Sequence, residues 1–193
     1  MSAFALPRRA RQALALAAIA GALVAAPARA SAAPSCGITW GSLPKGHAAT
    51  TAVSLSTTRT GRHDCFDRVV FEFEGGFDGY RVEYVDQVRT EPDGWVLPVT
   101  GGARLQVTLW AGIMDETGRS TYFGGNVPDH VADVTGYKTL RDVAFGGSSS
   151  IGHSSEWHTT FGVGVRARLP FRAYVLPGPG THSRLVIDVG HRW

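Results

Sequence analysis

Apolar and polar side chains alternate through most of the chain beyond residue 50. Over 52–58, Val53, Leu55 and Thr57 share one side; in the next run Val69, Phe71 and Phe73 do so. Arg104 to Trp110 turns Leu105, Val107 and Leu109 inward, and Trp157, Phe161, Val163 and Val165 repeat the pattern. A period of two is that of a half-buried strand. Tyr80 to Asp86, Phe171 to Leu176 and Arg184 to Val189 complete the set, while Leu140 to Phe145 is ambiguous because neither face is cleanly apolar. Turn chemistry falls between the runs, at Gly75-Gly76, Asp93-Gly94, Gly101-Gly102, Gly146-Gly147 and Pro177-Gly178-Pro179-Gly180. No stretch sustains a helical period. Short alternating strands separated by Gly and Pro predict an all-β fold, a two-sheet antiparallel β-sandwich. From 112 to 136 the pattern lapses into an irregular connection holding Asp115, Glu116, Asp129 and Asp133, long enough to be either functional or a plain surface excursion.

One strand is echoed. Asp67 to Phe73 reads DRVVFEF, and Ser183 to Val189 reads SRLVIDV, an internal pseudo-repeat. Alternation turns Val69, Phe71 and Phe73 to the core in the first copy and Leu185, Ile187 and Val189 in the second. Arg68 and Glu72, or Arg184 and Asp188, then lie on the other face about 13 Å apart, so each pairs with a neighbouring strand rather than within its own copy.

The first thirty residues stand outside this pattern. Arg8, Arg9 and Arg11 precede the apolar run 13–26, and Ala28-Arg29-Ala30 is a small-x-small cleavage site, so residues 1–30 read as a secretion signal peptide rather than a transmembrane anchor. Four of the nineteen Lys and Arg residues lie there and none of the sixteen Asp and Glu, which leaves fifteen cations against sixteen acids, a formal charge of −1. Composition therefore gives no support to a nucleic-acid binder, although a local basic patch remains open. Cys36 and Cys65 are the only two cysteines. In an exported chain such a pair predicts a disulfide, tying residues 31–50 to the start of a domain over 51–193.

Arg184-Leu185-Val186-Ile187-Asp188-Val189 resembles the closing strand of AMIN domains, the modules at the amino end of bacterial cell-wall amidases and in some secretion pores. Pro170-Phe171-Arg172-Ala173-Tyr174-Val175-Leu176 resembles the strand before it. With CGITWGSLPK, FDRVVFEF, YRVEYVDQV, GGARLQV and VRARLPFRAYVL, the chain from Cys36 to Trp193 is similar to exported actinobacterial AMIN-like proteins. The resemblance implies a sandwich of two similar sheets, which fits an internal echo. It also implies wall targeting through peptidoglycan, here with no catalytic amidase domain in the sequence.

Catalytic and metal motifs are weak. His153-Ser154-Ser155-Glu156-Trp157-His158 has neither the spacing nor the helix of a zincin site, and Glu156 and His158 are expected to face solvent opposite Trp157. Gly146-Gly147-Ser148-Ser149-Ser150 lacks the spacing of a nucleophile elbow and reads as a flexible turn. Glu72 and Glu74 share a strand face as a glycosidase pair could, but alternate acids are common on an exposed strand. The acids of the 112–136 connection match no compact calcium loop. No catalytic residue, metal or cofactor is assigned.

Binding has the better signal. Trp110 shares a face with Arg104, Gln106 and Thr108, and Tyr174 with Arg172. Aromatics on a polar sheet face stack on sugars, and Arg pairs with carboxylates. Trp110, Arg104, Arg172 and Tyr174 are thus the candidate ligand residues, with Trp40 read as a plug held by the disulfide. The expected function is a secreted, non-catalytic, envelope-associated binding domain whose partner is peptidoglycan or another wall glycan, the alternative being a structural module that recruits an exported protein.

Overall fold

In a computed structural model, the described residues are 36–122, 127–150 and 157–193. They belong to one compact unit, Pro34–Trp193. The expected leader over 1–30 lies outside them, as do His153 and Glu156.

Among the described residues there is no helix, and none long and apolar enough to cross a membrane. The strands are β1 Lys45–His47, β2 Ser54–Arg62, β3 Phe66–Glu74, β4 Tyr80–Val85, β5 Val88–Arg89, β6 Val96–Leu97, β7 Ala103–Leu109, β8 Asp129–His130, β9 Leu140–Ser150, β10 Trp157–Val165, β11 Phe171–Pro177 and β12 Ser183–Gly190. They form a six-stranded sheet in the order β1-β4-β7-β10-β9-β8 and a four-stranded sheet in the order β11-β12-β3-β2, with β5 and β6 as a separate hairpin. All pairings between these strands are antiparallel. The two larger sheets pack as a sandwich.

The alternation placed the core. Val69, Phe71 and Phe73 from β3, Leu105, Val107 and Leu109 from β7, Phe161, Val163 and Val165 from β10, and Leu185, Ile187 and Val189 from β12 are all 0% exposed and belong to one cluster. Burying a side chain of this size contributes roughly 1.5–3 kcal/mol. Phe71 and Phe161 bridge the sheets with ring centroids 4.8 Å apart.

Three expectations are corrected. Thr57 does not share the inner face with Leu55: a bulge at Ser56 pairs Leu55 with Phe73 but Thr57 with Glu72, so Thr58, opposite Phe71, turns inward instead. Gly146-Gly147 is not a turn and the serines after it are not a flexible one, for all five residues lie within β9. The glycines form a bulge between the pairs Phe145–Phe161 and Ser148–Thr159. Gly147 has φ +99°, and a Cβ on it would fall 2.2 Å from the Glu91 carbonyl oxygen, so glycine lets the β5–β6 hairpin dock here. That hairpin also explains why Leu140 to Phe145 was ambiguous: Val143 and Phe145 enter the main core, while Ala144 packs on the other side with Val88, Leu97 and Val99. A strand covered on both faces shows no clean alternation.

The two copies of the echo lie in one sheet. β3 and β12 are neighbours in the four-stranded sheet, with Val70 opposite Val186, Arg68 opposite Asp188 and Glu72 opposite Arg184. The repeat is a local two-fold about the Val70–Val186 pair, in which an antiparallel ladder sets the Arg of each copy opposite the acid of the other, although only Arg68 and Asp188 join as an ion pair while Glu72 pairs with Arg59.

Candidate functional site

The ladder extends one strand further, because Arg172 on β11 also lies opposite Asp188. Arg68, Asp188 and Arg172 therefore form one row across β3, β12 and β11 on the outer face of the four-stranded sheet. Arg68 grips the carboxylate with Nε 2.6 Å from Oδ1 and Nη2 2.9 Å from Oδ2. Arg172 reaches Oδ2 from the other side, with Nε at 2.9 Å and Nη2 at 2.8 Å. The Asp188 side chain is 0% exposed although it faces away from the core, and those of Arg68 and Arg172 are 24% and 40% exposed. Two guanidiniums on one buried carboxylate supply the charge pairing that its desolvation demands. The same contact raises the Arg68 pKa, chiefly through its hydrogen bond to Asp188. Tyr174 completes the cluster, its hydroxyl accepting from Arg68 Nη2 at 3.0 Å.

Aromatic rings frame this row. The Arg172 guanidinium lies 4.4 Å from the Trp40 ring centroid, 5.0 Å from that of Tyr174 and 5.6 Å from that of Phe66. Arg68 lies 5.2 Å from the Phe66 ring, which His63 stacks against at 4.4 Å. Trp40 meets Phe66 edge-on at 5.7 Å. Its position is set from two sides: the Cys36–Cys65 disulfide anchors the segment before it, and the Phe171 amide donates to the Gly41 carbonyl just after it. The result is a half-exposed cation fixed by Asp188 and flanked by aromatic faces, with one net positive charge over the Arg68, Asp188 and Arg172 row. Of the five donors of a guanidinium, two on Arg172 engage Asp188, which leaves the exposed part able to meet a ligand carboxylate or hydroxyl.

The four residues singled out from sequence are not one site. Arg172 and Tyr174 come together, but Trp110 and Arg104 lie on the other sheet. They stand at opposite ends of the same segment, about 20 Å apart at strand spacing. Trp110 is half-buried, packs edge-on to His158 at 5.3 Å, and lines a cleft of about 340 Å³ with Pro44, His47, Tyr80 and Arg81. His158 is thus half-buried against an indole rather than facing solvent as expected. Arg104 donates to the Val99 carbonyl at 3.0 Å and borders a polar cleft of about 270 Å³ with Asp86 and Arg168.

A match to a family model decides the relationship. The model of the AMIN-like domain aligns with residues 53–191, most of the chain. The chain belongs to the AMIN-like domain family. No curated protein and no solved structure matches it. In this AMIN-like domain both strands that carried the resemblance, β11 and β12, supply the row of charges, Arg172 and Asp188.

Several other groups of the AMIN-like domain have local partners. Glu72 pairs with Arg59. Asp115 closes its own turn, accepting from the Thr117 hydroxyl at 2.6 Å and the Arg119 amide at 3.0 Å, bonds that hold its pKa below the ordinary value. Ser148 and Ser149 bond to Thr159 and Glu91. Sequence reasoning missed the roles of Phe66, Asp188 and the His130–Asp142 pair. In that pair, His130 Nδ1 sits 2.7 Å from the buried Asp142 carboxylate, which also accepts from the Thr100 amide at 2.9 Å, beside a cleft of about 580 Å³. It ties the irregular connection to β9. The Asp188 cluster had a signal in the echo, whereas the pair of His130 with Asp142 had none, since no periodicity links a histidine in the irregular 112–136 stretch to a strand residue twelve positions on.

Proposed function

We propose that this AMIN-like domain is an extracytoplasmic, envelope-associated binding module that recognises peptidoglycan or another wall glycan without catalysing a reaction, and that residues 1–30 export it. Family membership and the Cys36–Cys65 disulfide support the extracytoplasmic setting. The observation that carries the ligand reading is the fixed Arg172 guanidinium between Trp40 and Tyr174. Aromatic faces stack on pyranose rings, and a planar guanidinium held at the same place pairs with a carboxylate of a muramic acid or stem peptide. Wall polymer offers both groups in close succession.

The test is retention on purified sacculi. Wild-type protein is expected to co-sediment, Arg172→Ala to be released, and Arg172→Lys to be weakened because an ammonium neither stacks as a plane over the rings nor pairs bidentately with a carboxylate. Trp110→Ala, on the other sheet, is expected to remain bound. Absence of wild-type retention at every salt concentration would overturn the reading, and loss in Trp110→Ala alone would move the site to the other sheet.

A further inference from the structure

Beside the Arg172 cluster, one end of the sandwich presents large apolar side chains to water. Leu43 is 74% exposed and Trp193 is 70% exposed. Arg168 links them: its guanidinium bonds the Ser42 hydroxyl and carbonyl at 3.3 and 3.2 Å, and its own carbonyl accepts from the Trp193 indole N–H at 3.1 Å. The Leu43 loop is held in place. Lys45 Nζ donates to the Leu43 carbonyl at 3.0 Å while lying 4.1 Å over the Phe171 ring, and Pro44 stiffens the link between them. These side chains project from the surface rather than line a groove.

Cations surround them. Arg166, Arg168 and Arg192 are exposed and Lys45 is half-exposed, against the exposed acids Asp64 and Asp86 at the same end, while the charge of Arg172 is already met by Asp188. This local excess stands out in a chain whose residues 31–193 sum to −1. Convex leucine and indole tips within a cationic rim suit neither a sugar polymer, which gives leucine nothing to bury, nor a small anion, which needs a concave site. They suit the interface of a charged bilayer, where Trp and Leu enter the headgroup region and Arg meets phosphate.

We infer that this end of the molecule docks on an anionic lipid surface, with Leu43 and Trp193 inserted at the interface and Arg166, Arg168 and Arg192 against lipid phosphates. The inference is independent of the glycan reading. Its test is co-sedimentation of the full protein with vesicles of phosphatidylglycerol in phosphatidylcholine, and with phosphatidylcholine alone. Binding is expected to the first and to be far weaker to the second. The double substitution Leu43→Ser with Trp193→Ala should lower the partition roughly tenfold or more. Arg192→Gln should lower it about fivefold, with the loss shrinking as salt rises. All these side chains lie at the surface, so an unchanged melting temperature is the check that each variant is folded.

Three results would overturn the inference. One is no sedimentation with phosphatidylglycerol vesicles at low salt. Another is equal sedimentation of the wild type and the double variant. A third is release by inorganic phosphate at constant ionic strength, which would assign the cations to a soluble phosphate instead. Should the double variant lose sacculi while wild type ignores vesicles, the patch belongs to the wall site and the lipid inference fails.

Discussion

Arg68 and Asp188, 120 residues apart in the chain, stand opposite each other in the β3–β12 ladder and share two hydrogen bonds of 2.6 and 2.9 Å. Asp188 is 0% exposed while Arg68 retains some contact with water, so the two partners respond differently to loss of the other. Removing Arg68 leaves a buried carboxylate with Arg172 as its remaining cation. Removing the Asp188 charge leaves two guanidiniums that can turn outward. Arg68→Ala is therefore expected to cost about 2–3 kcal/mol and Asp188→Asn about 1–2 kcal/mol. Urea unfolding of both variants checks the order; equal costs would mean that the carboxylate is hydrated and the burial argument is wrong.

Opening the disulfide should act on stability and on the site together. Cys36 and Cys65 close a loop with a sequence separation of 29, for which chain entropy gives about 3–4 kcal/mol. The pair Cys36→Ser with Cys65→Ser is expected to lower the denaturation midpoint by that equivalent. It should also release Trp40 from Arg172, weakening sacculi binding in protein that is still folded.

Gly162 and Gly164 mark where the β5–β6 hairpin and the segment after it lie against β10. A Cβ at 164 would sit 1.8 Å from the Thr100 carbonyl oxygen and 2.9 Å from the Asp142 Cβ. Gly164→Ala should destabilise by about 1–3 kcal/mol, as over-packing does. Gly61→Ala is the control, since its Cβ would meet only the His63 ring at 3.7 Å and its backbone is not left-handed. It should be neutral or stabilising by a few tenths of a kcal/mol.

Acid should loosen the segment that leads into β2. Asp78 accepts from the Thr50 hydroxyl and, at 3.0 Å, from the Thr50 amide; these bonds hold its pKa below the ordinary carboxylate value. A carboxylate with a lowered folded pKa contributes stability that is present above its unfolded pKa and lost as pH falls through the folded one. Protection of the Thr50 amide against hydrogen exchange should accordingly persist at neutral pH and fade below the ordinary Asp range. In Asp78→Ala it should be low throughout. An unchanged amide in strong acid would show that the segment is held by other bonds.

Much of this architecture was legible in the amino-acid order. Phe71 and Ile187 were placed inside by parity alone, because a strand with one wet face must alternate. The disulfide was expected from two cysteines in a chain whose first thirty residues read as a leader. The errors have a common source. Ser56 and Gly146-Gly147 each add a residue to one strand, and whether a Gly pair turns the chain or bulges it depends on what lies across the sheet, here the Glu91 carbonyl. Asp188 read as lying on the face away from the core, yet it is buried, because Arg68, Arg172 and Tyr174 close over it.

By itself the sequence determined which side chains had to leave water, and hence the strands, the sandwich and the acid and Arg on the outer side of each echoed strand. Tertiary structure alone decided who meets whom. It set β3 beside β12 in one sheet, brought Arg172 to the same carboxylate, parted Trp110 from Tyr174 onto opposite sheets and joined the Leu43 loop to Trp193 through Arg168. Hydrophobic burial depends on each residue's own periodic position, whereas a binding surface depends on register between segments far apart in the chain, which no local pattern encodes.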